Sequence, residues 1–138
     1  MSKFLLLVGT TALAALATTA SAHHSAIQFD FTKQVPIKGT VTHFRAINPH
    51  MELILRVKDA KGERLIEFEG HSTNNMYRNG YRKGMVKEGD VITVNVAPLK
   101  TGADGGYVVS ADLADGQHFG MQSRSLDAAR IQQQAEGK

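Results

Sequence analysis

Histidine is the residue type in this chain whose placement most suggests chemistry. There are six. His23 and His24 stand side by side near the N-terminus, His50 follows Asn48-Pro49, and His71 follows Gly70. Cleavage after Ala22 would leave His23 with a free α-amine, whose unperturbed pKa lies near 8. Such a terminus chelates through the amine and its own ring nitrogen, and a further imidazole completes a planar nitrogen set of the kind copper(II) prefers. His43 is also available, but His50 and His71 are the better partners. Each begins or ends an element at a strand terminus, so both could line one end of the fold. The expected metal set is therefore His23, His24, His50 and His71, with copper as the metal. The plainer reading is that His23-His24 is merely tolerated after a cleavage site, that His43 is a packed strand residue, and that His50 caps a corner by bonding a backbone group. Zinc is not indicated, because paired histidines three to five residues apart are absent.

Other chemistries are thinner. Glu52, Glu67 and Glu69 could approach one another across neighbouring strands as a paired-acid site, yet all three fall on expected outer faces. There is no nucleophile elbow and no phosphate-cradling loop. The absence of cysteine removes thiolate chemistry and cysteine metal sites. A nucleic-acid surface would need aromatics and cations on its binding strands. Phe44, Arg45 and Arg56 are candidates, with a small basic cluster at Arg78, Arg82 and Lys83. Six phenylalanines, three tyrosines, no tryptophan and a formal charge of +3 argue against such a partner.

The elements that must position these residues are strands. Val35–Val57 carries two apolar-rich runs about Asn48-Pro49-His50, each alternating as a half-buried strand does. Pro49 fixes its own φ and pushes Asn48 out of the helical region, so the chain corners there. Before it, Ile27, Phe29 and Phe31 alternate against polar residues in a lead-in arm expected to lay its aromatic side on the domain. The first strand is expected over Val35–Ala46, with a bulge at Gly39 because the apolar phase changes along it. The second, Met51–Lys58, alternates cleanly and turns through Asp59-Ala60-Lys61-Gly62 into a third, Arg64–Glu69, with Ile66 and Phe68 inward. Ser72 is a fitting N-cap for a short helix Thr73–Asn79 and Gly80 its C′ residue, with Met76 and Tyr77 as core contacts. Strand four is Val91–Pro98 and strand five Tyr107–Leu113, followed by a turn at Asp115-Gly116.

This order predicts a mainly β fold, a small antiparallel five-stranded OB-like barrel with a short helix between strands three and four. A small β-sandwich is the alternative. Lys3, an apolar run and Ala20-Ser21-Ala22 read as a signal peptide over residues 1–22, so the protein is expected in the periplasm or secreted, with no integral membrane segment after cleavage. Residues 23–120 form the domain, and 121–138 are a polar tail too poor in apolar residues to offset the cost of ordering.

Several short blocks stand in order along the chain: Ala22-His23-His24-Ser25, Gly39-Thr40-Val41, Asn48-Pro49-His50, Glu69-Gly70-His71-Ser72, Arg78-Asn79-Gly80-Tyr81 and Gly89-Asp90-Val91. Together they resemble a family of small exported bacterial proteins known as domain of unknown function 6152, over about His23 to Phe119. Tyr81 stands where that family commonly has tryptophan, and Met51 where an aromatic or aliphatic residue usually follows the histidine. The resemblance implies export and a compact β-domain and carries no activity with it. The expected function is a non-enzymatic binding module for a small ligand or an envelope protein. Copper binding through the mature terminus is the first alternative, and a small enzyme with a His/Glu site the second.

Overall fold

In the computed structural model the described residues are 26–121. The expected leader, its cleavage site, His23, His24 and the tail from 122 onward lie outside them. Period-two apolar runs build the strands: β1 (Val35–Arg45), β2 (Glu52–Asp59), β3 (Gly62–Gly70), β4 (Val91–Pro98), β5 (Gly106–Leu113) and β6 (His118–Gly120). One short helix, α1 (Thr73–Arg78), lies between β3 and β4. The inward positions of each run are buried together: Met51, Leu53, Leu55 and Val57 meet Ile66, Phe68, Ile92, Val94 and Val96 in one core. Each such side chain contributes about 1.5–3 kcal/mol relative to exposure.

Antiparallel pairings join β1 to β2, β2 to β3, β1 to β4 and β4 to β5. A short parallel contact, Phe68↔Gly106 through Gly70↔Val108, joins β3 to β5 and closes the five strands into a ring. The fold is thus mainly β and barrel-like, with the helix where the sequence predicts it. β1 is shared: Val35–Thr40 lies on β4 and Thr40–Arg45 on β2. That double pairing is what wraps the sheet round on itself.

Four local expectations need correction. The break in β1 falls between Val41 and His43, not at Gly39. It still turns Phe44 and Ala46 toward the core. Gly39 answers a different need, close approach of strands, since a Cβ there would sit 2.9 Å from the Arg56 carbonyl oxygen. Tyr77 is exposed, and Tyr81, just past the helix, is buried in its stead. The helix ends at Arg78 and Gly80 takes a positive φ of 97°, so the chain folds back and carries Tyr81 onto Phe44 and Phe119. The lead-in begins with a 3-10 turn, Ala26–Gln28, and leaves Ile27 exposed. Finally, β6 is a strand where the sequence suggested only the turn at Asp115-Gly116 leading into Gln117-His118-Phe119; it pairs with β5. Among the described residues no helix is long and apolar enough to cross a membrane.

Candidate functional site

The corner between β1 and β2 meets the end of β3 and the start of β5, and the histidines gather there. The Asn48-Pro49 peptide is cis, and Asn48 Oδ1 accepts a hydrogen bond from the Thr73 N–H at 3.1 Å. The corner is thereby docked on the first turn of α1. Ser72 caps that turn, its Oγ accepting from the Asn75 N–H. His50 comes next, and its Nδ1 lies 3.0 Å from the Gly70 carbonyl oxygen. A carbonyl can only accept, so Nδ1 carries the proton and a neutral His50 presents the lone pair on Nε2.

Met51 then faces two residues of the other strand. Its N–H donates to the His71 carbonyl at 3.1 Å, and its own carbonyl accepts from the Gly70 N–H at 3.2 Å. Two residues opposed to one is the pattern of a bulge, a device that re-aims side chains at the end of a ladder. Gly70 makes this approach feasible, because a Cβ there would lie 2.8 Å from the Met51 methyl. The residue re-aimed is His71. Its Nδ1 is 3.1 Å from the Tyr107 hydroxyl, and the two rings meet edge to face at 5.1 Å. His50 approaches the same tyrosine ring at 6.3 Å. The lead-in arm covers the remainder of that ring, with Phe29 at 5.5 Å and Phe31 at 5.3 Å. Phe29 is buried, while Phe31 is 51% exposed.

Electrostatics follow from this packing. Burial, and secondarily the charge of His50, holds His71 below the ordinary histidine value of 6.5. Burial, and secondarily Glu69, pushes the Tyr107 phenol up from 10.0. A neutral imidazole therefore meets a neutral phenol. Either can donate to the other, so rotation of the hydroxyl lets Nε2 of His71 face a ligand as donor or acceptor.

His50 and His71 thus both lie against Tyr107, while His23 and His24 lie outside the described residues. His43 is elsewhere, partly buried on β1 and 3.6 Å from Glu52. Glu52 and Glu69 do stand opposite each other in the β2–β3 ladder. With Glu67, His43 and Asp104 they line an open groove of about 590 Å³ on the outer face. Glu52 and Glu67 are solvent-exposed there. Among the described residues no three of histidine, aspartate and glutamate converge to hold a metal ion. Two residues were missed by sequence reasoning. Tyr107 owes its place to the parallel β3–β5 contact, which no local pattern announces; only the glycines before it, Gly105-Gly106, mark a tight approach. His118 pairs through Nδ1 with Asp112 at 2.8 Å, and its Nε2 is buried without a partner among the described residues.

The model of a family described as "Family of unknown function (DUF6152)" matches residues 11–108, most of the chain, and the protein belongs to that family. No curated protein and no solved structure matches it.

Proposed function

We propose that this member of the DUF6152 family is an exported, non-enzymatic binding module. It recognises a small ligand or an envelope protein through the end of the ring that carries His50, His71 and Tyr107. One observation carries the reading: two imidazoles from different strands meet one phenol at a single rim, each held through Nδ1. Building that rim takes a bulge, a capped helix and a covering arm, more apparatus than a structural corner requires. The half-exposed Phe31 adds an apolar contact beside it. The exposure of Glu52 and Glu67 supports recognition over acid–base turnover, since a general acid needs a sheltered, shifted carboxyl. Export rests on the charged start, apolar run and Ala20-Ser21-Ala22.

Amide spectra of the processed, ¹⁵N-labelled chain, recorded against a panel of small polar ligands, metal ions and envelope extracts, test this. A responding ligand should move the signals of residues 48–51, 70–73 and 107 first. Responses centred instead on the acidic outer groove or on the β4–β5 turns would overturn the assignment.

A further inference from the structure

We propose that the apolar gap between the start of β1 and the end of β2 is a second binding site, shaped for a small uncharged apolar molecule, with loop 99–105 strapped across it by Arg64. The site shares no residue with the histidine rim.

The gap follows from strand register. Toward its N-terminus β1 stays on β4 as far as Val35↔Val96, but it leaves β2 at Thr40↔Arg56. β2 meanwhile continues on β3 to Asp59↔Gly62. The two strands diverge, and the ring is split at that end. The split opens into a cavity of about 140 Å³, walled by Val35 and Ile37 of β1, Val57 of β2, Ile66 of β3, and Val96 and Pro98 of β4. Val57, Ile66 and Val96 belong to the core, while Val35 at the mouth is 41% exposed.

Size and chemistry define the ligand. Protein interiors seldom leave voids larger than a water molecule, and an apolar cavity of about 150 Å³ stays dry and takes a molecule the size of benzene. Mouths of β-barrels are also a favoured place for small-molecule sites. The charged groups on the wall are Arg64, Asp59 and Asp104, and they are engaged with one another. Arg64 donates to both Asp59 oxygens at 2.8 and 3.2 Å, and through Nη2 to Asp104 Oδ1 at 3.0 Å. A charged ligand would give up its water and break one of these bonds to find a partner. An uncharged apolar one exchanges water for methyl groups.

The strap is built from the same arginine. Period two puts Arg64 on the inward face of β3 with Ile66 and Phe68, so its guanidinium closes the end of the core. From there it reaches Asp104, 40 residues on. Ala103, Asp104 and Gly105 form the loop's wall of the cavity. The loop is pinned at both ends, where Leu99 bridges Phe29 and Gly106 enters the β3–β5 pairing. Gly102 and Gly105, with φ of 77° and 120°, supply turning points on either side of Asp104. An exposed ion pair holds only weakly, so this one orients the loop over the cavity and can release it.

Benzene titrated into the full chain with labelled methyl groups, against benzoate as a charged control of similar size, tests the proposal. Saturable one-to-one shifts are expected at the methyls of Val35, Ile37, Val57, Ile66 and Val96, with benzoate leaving them in place. Val35→Phe fills the mouth from a half-exposed position and should weaken benzene binding by about tenfold or more, the scale of a methylene-sized change in an apolar pocket. Asp104→Asn should speed hydrogen exchange at Gly102 and Ala103, and benzene exchange, by about 2–5-fold, the population change that one exposed ion pair yields. Lys100→Gln, in the same loop but outside the latch, should change neither. Amide spectra of each variant confirm that the fold persists. No saturable shift at those methyls, an equal response to benzoate, full affinity in Val35→Phe or unaltered exchange in Asp104→Asn overturns the proposal. Shifts at the same methyls that follow protein concentration alone would place a second chain in the gap and overturn it as well. None of these results bears on the rim, whose signals lie at residues 48–51, 70–73 and 107.

Discussion

Gly70's carbonyl oxygen sets the chemistry of His50, and burial of its own ring sets that of His71. Neither property belongs to histidine as a residue type; each comes from what faces the ring. Burial is the larger cause of the lowered His71 pKa and the charge of His50 the smaller. His50→Gln should therefore raise the His71 pKa only part of the way back toward 6.5, measured by NMR titration of its ring protons. The sign for stability follows. An unfolded histidine binds its proton near pH 6.5, and folded His71 resists until lower pH. Its contribution to stability is therefore intact above 6.5 and lost as pH falls through the folded value. Chemical denaturation midpoints for wild type and His71→Gln should converge on acidification from pH 7, and a gap that widens would contradict this.

At the scale of elements, the site depends on how β3 ends. A ladder that continued regularly past Glu69 would not set Gly70 and His71 together against Met51. The bulge does so, and Ser72 at once starts a helix that anchors the corner through Asn48. Ser72→Ala removes the side-chain acceptor for the Asn75 N–H and should cost about 1 kcal/mol, read from denaturant midpoints. The loss should be accompanied by broadened amide signals at residues 70–75. Strand positions were legible in the sequence because alternation and glycine or proline punctuation are local signals; β4 matches its expected bounds residue for residue. The bulge in β1 was legible as a phase change but not as a position, since a glycine can mark either a bulge or a close contact. Gly39 is the latter. Tyr77 was expected inward but is exposed, because a six-residue helix is too short for 3.6-residue spacing to fix a face. β6 escaped notice because three residues carry no periodicity.

For the whole molecule, the ring holds because β3 and β5 touch over three residue pairs. The hairpins on either side are much longer. That closure is also what brings Tyr107 to His71, so fold and site share one weak seam. Gly106 sits in it, and a Cβ there would lie 2.8 Å from the Ala97 carbonyl oxygen and 3.1 Å from the Val96 Cβ. Gly106→Ala should destabilise by about 1–3 kcal/mol through overpacking, and should weaken protection of the β3–β5 amides in hydrogen exchange before that of β1–β2. Arg64 supports the same seam from outside, bridging Asp59 on β2 and Asp104 in the loop before β5. Long-range closure of this kind is the part of the architecture that residue order left unstated. His50 and His71 could be placed at element ends from sequence, but the tyrosine that unites them could not.

The binding reading requires a fixed tautomer at His50 and a neutral His71 against Tyr107. A long-range ¹H–¹⁵N correlation spectrum of the imidazoles in the processed chain at pH 7 measures this directly. The account predicts the proton of neutral His50 on Nδ1, a neutral His71, and cross-relaxation from both rings to the Tyr107 ring. A neutral His50 protonated on Nε2, a charged His71, or rings with no contact to Tyr107 would contradict it.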